Sequence, residues 1–251
     1  MKFSHPYKTD DRVAPPRCVV WWSSLPTDTQ AAAALLDEGE RARCTTYARA
    51  ADRARFAGGR VLARRAVAAE LDCDPREVRL DARCTVCGGA HGRPRVLGAG
   101  EGVLDLSIAH AGERVVVAVA RGWRVGVDVE PIGPFEDLTG AGAGVLGPAE
   151  RAVLAALPTS ERATGFFRYW TRKEALLKAT GQGLTLEPAA LHVAAPGEPA
   201  ALVAGPLPLA PERVRLRDLD AGPGYAACLA LLGDGPPPRV EVATPQAWGR
   251  A

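Results

Sequence analysis

The sequence predicts a mixed α/β or α+β protein in two halves, each with a helix packed beside several strands. Three observations predict it. Short apolar, β-branched runs bounded by Gly, Pro or charged residues recur along both halves and mark strands. Two stretches, Thr27 to about Leu71 and about Ser160 to Thr180, carry a helical pattern instead. Between them the texture breaks at "PIGPFEDLTGAGAGVLG", the Gly/Pro punctuation of a loop or domain joint. At 251 residues the chain has length for one large domain or two smaller ones. The halves are placed at residues 1–122 and 123–251.

"RCVVWWSS" (Arg17 to Ser24) is the first strand candidate, with Trp21 and Trp22 read as core. The Ala- and Arg-rich segment from Thr27 to Leu71 follows as helix, with Gly58-Gly59 inside it. "REVRL" and "RPRVL" are short strands flanking a Cys/Gly loop. Val103 to Ala109, Arg114 to Ala120 and Trp123 to Glu130 then read as a hairpin-linked meander. Pro148 opens a helix at its first-turn position. The next helix stops at Gly181, a good C-terminal cap. "ALHVAA", "RVRLRDLD" and "GYAACLALL" are the closing strands.

Charge and composition narrow the function. Lys plus Arg number 31 against 29 Asp plus Glu, a net charge of +2 that argues against nucleic-acid binding driven by charge. Arginine clusters between Arg41 and Arg65, however, so a local anion site is compatible with the near balance. The default for that run is a solvated helix face paired with Glu38, Glu40 and Asp52; only Arg60, beside Gly59, rises above it. The N-terminus lacks the apolar segment of a secretory signal, and no apolar run reaches membrane-spanning length. The six cysteines read as reduced thiols, and the expectation is a cytoplasmic protein without nucleic-acid or membrane partners.

Two stretches carry the chemistry. In "RVGVDVE", Asp128 and Glu130 are two apart in a strand and therefore share a face. Like charges so close call for a raised pKa or a bound cation. In "GFFRYWTRKEALLKATGQG", a wheel places Glu174 inside the apolar stripe of Ala163, Phe166, Phe167, Trp170 and Leu177. Lys178 follows one turn on, Arg162 and Lys173 lie on the other flank, and Arg168 and Arg172 point to solvent. A Glu174–Lys178 ion pair at the core edge is one account of that glutamate. Taken with Asp128 and Glu130, three carboxylates without a histidine favour a hard cation, Mg²⁺ or Mn²⁺. With a lysine close by, spacing alone suggests a Mg²⁺-dependent enzyme acting on a phosphate ester or anhydride.

"GVDVE" followed by "WTRKEALLKATGQGL" resembles the paired signatures of the Sfp-type 4′-phosphopantetheinyl transferases. "HGRPRV", "LSIAHAGERVVVAVA", "RFAGGRVLARRAVAAEL" and "GPGYAACLAL" are similar, in order, to further segments of that family. The chain departs from the family at Ala109 and Ala111, where serines are common, and at Leu62-Ala63, where two leucines are common.

The resemblance implies a pseudo-twofold pair of similar subdomains, each a helix on a small, mostly antiparallel sheet, with coenzyme A between them. It implies transfer of the 4′-phosphopantetheine arm of coenzyme A to a serine of an acyl or peptidyl carrier protein, releasing 3′,5′-ADP. Asp128, Glu130 and Glu174 would hold Mg²⁺, and Glu174 would take the serine proton directly or through a water. Lys178 and Lys173 would offset phosphate charge. Arg53, Arg60 and His110 would hold the phosphates of coenzyme A, and Gly92, Arg93 and Pro94 would line its adenine end. Residues 1–122 would then be the coenzyme A side and 123–251 the metal and carrier-protein side, in a monomer. Carrier docking would use the loop after Pro131, around Leu138.

Other motifs carry less. Cys84, Cys87 and His91 have C-x₂-C-x₃-H spacing but lack a fourth ligand, so a plain Gly-rich turn is expected. "GAGAGVLG" lacks a following Lys-Ser/Thr and is no P-loop. Asp105, Ser107 and His110 lack a nucleophile elbow. The competing functions are a non-catalytic module that senses coenzyme A or carrier domains, and a Mg²⁺-dependent phosphohydrolase.

Overall fold

The computed structural model describes residues 16–25, 32–84, 87–89, 92–135, 144–181, 186–206 and 209–243. The described residues divide into two compact units, one within Trp123–Pro237 and one made of those from residue 16 to Gly122 together with those from Pro238. Both mix helices with small, mostly antiparallel sheets.

The first unit begins with β1 (Arg17–Ser24), α1 (Glu38–Thr46) and α2 (Ala50–Leu71). It continues with β2 (Arg79–Asp81), β3 (Arg95–Leu97), β4 (Leu104–Ala111) and β5 (Arg114–Arg121). The helical expectation from Thr27 needs correction, because α1 and α2 are separate. Asp37 starts α1 with a capping box, its carboxylate accepting from the Glu40 N–H while Glu40 accepts from its own. Thr45 and Thr46 end the helix by turning their hydroxyls back onto the Ala42 and Arg43 carbonyls. Leu62, Ala63, Ala66 and Val67 of α2 pack on Leu106, Val115, Val117 and Val119 of the sheet.

The second unit runs through β6 (Arg124–Pro131), α3 (Pro148–Ala156), α4 (Thr159–Thr180), β7 (His192–Val193), β8 (Leu202–Ala204), β9 (Val214–Asp218) and β10 (Tyr225–Leu232). The meander fails at its third strand. β4 and β5 form the expected hairpin, but β6 pairs antiparallel with β10 in a sheet ordered β6-β10-β9. Turn residues between strands, such as Gly122 at φ 73°, permit a reversal without dictating which strand becomes the neighbour. The closing strand β11 (Arg239–Ala243) pairs parallel with β1, in the order β11-β1-β5-β4. The expected 123–251 half therefore loses its C-terminal strand to the first unit's sheet. Among the described residues no helix is long and apolar enough to cross a membrane.

Helix α4 lies across β6 by way of a glycine. A Cβ at Gly126 would overlap the Ala175 carbonyl oxygen and come within 2.5 Å of the Ala179 nitrogen. Only a bare α-carbon lets the strand approach that closely. Asp128 and Glu130 follow at the same-face positions, so they are turned toward the helix as Gly126 is.

Candidate active site

In the second unit, β6 and α4 bring Asp128, Glu130, Glu174 and Lys178 together. Asp128 is buried at 3% exposure. Lys178 Nζ donates to its Oδ1 at 2.5 Å, while its Oδ2 is buried without a hydrogen-bond partner. The lysine thus reaches across to the strand, and its ion pair is with Asp128 in place of the expected one with Glu174 along its own helix. Glu130 is half-buried and accepts a hydrogen bond from Trp170.

All three carboxyls titrate above their ordinary values. Burial raises Asp128, against the Lys178 charge beside it. Glu130 is raised by burial, then by the charges of Asp128 and Glu174, with Trp170 and Lys178 opposing. Glu174 is raised by burial and by Asp128, with Lys178 opposing. One lysine against three acids leaves this face short of positive charge. Among the described residues no three His, Cys, Asp or Glu side chains form a ready metal cage. The donor set nevertheless fits a hard divalent cation: three carboxylates, one with an orphaned oxygen, and no soft ligand.

Two neighbours of Glu174 depart from expectation. Arg172, expected in solvent, has no exposed surface. It forms a bidentate pair with Asp218 at 2.9 and 2.6 Å and donates to the carbonyls of Ala194, Ala195 and Glu198. Lys173, expected on phosphate, is fully buried in an ion pair with Glu150 and donates to the Val145 and Pro188 carbonyls. The one-stripe wheel misplaces Arg172, and Lys173, on the flank of that stripe, goes fully under cover, because α4 also packs against the segments from residue 188 to 198 and against β9. The distant acids Glu150 and Asp218 are what make that burial tolerable.

In the first unit, a cavity of about 180 Å³ is lined by Arg43, Tyr47, Phe56, Arg60, Gly92, Pro94, Ile108 and His110. Four of these, Arg60, Gly92, Pro94 and His110, are sequence candidates; the other four are not. The Arg43 and Arg60 guanidiniums lie 5.5 and 5.3 Å from the centre of the Phe56 ring. Tyr47 sits 5.6 Å from Phe56, ring to ring. Arg60 is buried at 8% exposure, which works against its charge, with Glu40 at 3.7 Å in support. Gly59 admits Ile108, whose methyl would lie 2.9 Å from a Cβ there, and His110 stands beside it. A Cβ at Gly92 would overlap the Arg83 carbonyl, so the backbone itself forms that wall. Two guanidiniums beside an aromatic ring suit an anion joined to a flat group.

Arg53 and Arg93 are held by other contacts. Arg53 is exposed and donates to the Tyr47 and Ala48 carbonyls, where it braces the break between α1 and α2. Arg93 forms a bidentate pair with Asp105 at 2.8 and 2.6 Å. Neither lines the cavity. The missed Arg43, Tyr47 and Phe56 lie in the arginine run, where spacing on one continuous helix would not have grouped them. The break at Tyr47 does. His91 and Leu138 fall outside the described residues.

A family model described as the 4′-phosphopantetheinyl transferase superfamily matches residues 124–229. Those bounds take in β6, α4 and the first part of β10. The 4′-phosphopantetheinyl transferase HetI of Nostoc sp. is 33% identical over 176 residues, 69% of this chain and 71% of that protein. The slr0495 protein of Synechocystis sp., whose name carries the same transferase designation, is 30% identical over 152 residues, 61% of this chain and 59% of that one. A phosphopantetheinyl transferase of Thraustochytrium sp. is 32% identical over 161 residues, 59% and 54% of the two chains.

Proposed function

The chain belongs to the 4′-phosphopantetheinyl transferase superfamily, and from that premise we propose that it acts as an Sfp-type enzyme on acyl or peptidyl carrier proteins. It moves the 4′-phosphopantetheine arm of coenzyme A onto a carrier serine and releases 3′,5′-ADP. The observation that carries the proposal is the buried Asp128, with one oxygen on Lys178 and the other without a partner, on the face that also bears Glu130 and Glu174.

Asp128, Glu130 and Glu174 would hold Mg²⁺. Bound there, the cation supplies charge stabilisation for pyrophosphate cleavage. The serine Oγ attacks the β-phosphorus, whose bond to the bridging oxygen breaks, and the electron pair leaves with 3′,5′-ADP. Glu174 accepts the serine proton, directly or through a water. Lys178 offsets charge on the phosphates. In the first unit, Arg43, Arg60 and His110 hold a phosphate of coenzyme A, and the Phe56 and Tyr47 rings flank its adenosine end.

The test is the intact mass of an apo carrier protein after incubation with coenzyme A, Mg²⁺ and this protein. One added phosphopantetheine arm is expected with wild type. Glu174→Ala should slow the reaction by at least about 100-fold, in line with loss of a general base. Binding of coenzyme A with no mass gain on several carriers would favour a non-catalytic sensor instead.

A further inference from the structure

Glu150 and Lys173 form a buried ion pair that the transfer chemistry leaves unused. Lys173 has no exposed surface and Glu150 only 4%. The ammonium has three donors and each has an acceptor: the Glu150 carboxylate, the Val145 carbonyl at 2.7 Å and the Pro188 carbonyl at 3.1 Å. The Glu150 Oε2 also accepts from the Gly147 N–H at 2.8 Å, and its Oε1 accepts from the Val193 N–H at 3.0 Å. The segment before α3, the first turn of α3, the turn at Pro188 and β7 are thereby tied to one side chain of α4.

We propose that Lys173 is a positioning residue: its pair with Glu150 sets the rotation of α4 and so aims the adjacent Glu174 at Asp128 and Glu130. The proposal rests on reading those acids as a metal centre.

Saturation removes Lys173 from phosphate binding, since its ammonium has no donor left for a ligand. Stability alone does not call for the pair, because an apolar pair of similar volume is often as stable as a buried ion pair. What an apolar pair lacks is direction. Glu174 lies between two fixed points on its helix. Lys173 is held by Glu150, and Ala175 is pressed on the bare α-carbon of Gly126. Successive helix residues are about 100° apart, so loss of either anchor lets Glu174 turn away from β6. A misplacement of about 1 Å can cost about 100-fold in rate.

The test compares wild type, Glu150→Gln and the double variant Lys173→Met/Glu150→Gln, all free of coenzyme A. Mn²⁺ binding is titrated directly and the thermal midpoint is measured alongside. Glu150→Gln keeps one acceptor oxygen, enough for Gly147 or Val193 but not both, and leaves the Lys173 ammonium without its carboxylate, a cost the thermal midpoint reads. The double variant leaves no buried charge unpaired, so it should fold. Loss of an outer anchor should weaken Mn²⁺ binding by about 10-fold or more in the folded double variant. Its kcat should fall while KM for the carrier protein stays near wild type. Folded variants that bind Mn²⁺ and turn over as wild type does would overturn the proposal alone. A wild-type protein that binds no Mn²⁺ would overturn the metal reading and this proposal with it.

Discussion

Asp128 shows how one residue can be legible and its surroundings not. Alternation along "VGVDVE" is enough to put it on the face of Glu130. Its burial, its orphaned oxygen and its pairing with Lys178 arise from α4, fifty positions further on. Separation along the chain also hid Lys173 and Arg172, whose acids lie 23 and 46 residues away. A long cation on a helix reads as solvent-facing until the acid that neutralises it is known. The cysteines are plainer: Cys18 and Cys228 are buried and Cys87 is exposed. Burial pushes the Cys18 thiol from 9.0 to about 12, and drives Cys228 upward as well. A thiol raised on folding favours the folded state below its ordinary value, and that contribution is lost as pH climbs toward the raised one. Native protein at pH 8 should therefore alkylate with iodoacetamide at Cys87 and spare Cys18 and Cys228. Peptide mass mapping reads this directly. Rapid labelling of Cys228 in the folded protein would contradict the burial of β10.

At the scale of elements, strands and helix ends were legible wherever local chemistry decides them. "RCVVWWSS" is β1 residue for residue, and Gly181 ends α4 in the left-handed region at φ 69°. Elements that depend on a distant partner were not legible. β8, at three residues, and β11 have too little pattern of their own. The break between α1 and α2 depends on Arg53 reaching back to Tyr47, a contact visible only once both helices exist. The contact between β6 and α4 hinges on Gly126, which the motif contains but whose close approach to a helix the motif alone does not reveal. Gly126→Ala should push the helix from the strand at an overpacking cost of about 1–3 kcal/mol. Chemical denaturation would show it as a lower midpoint. An alanine variant as stable as wild type would mean that α4 does not rest on β6 as described.

At the scale of the molecule, the described residues part into two units after Gly122, and the chain's return to the first unit did not show in the sequence. β11 joins β1 in parallel, a pairing that spans nearly the whole chain and that no local signal encodes. Each unit holds its own chemistry: arginines on an aromatic ring in one, carboxylates with a lysine in the other. The central claim is that Asp128, Glu130 and Glu174 act through a divalent cation. The most direct measurement is the rate of arm transfer to an apo carrier protein in EDTA, followed by titration with Mg²⁺. Transfer should vanish in EDTA and return with Mg²⁺ in wild type. Transfer at full rate in EDTA would contradict the account.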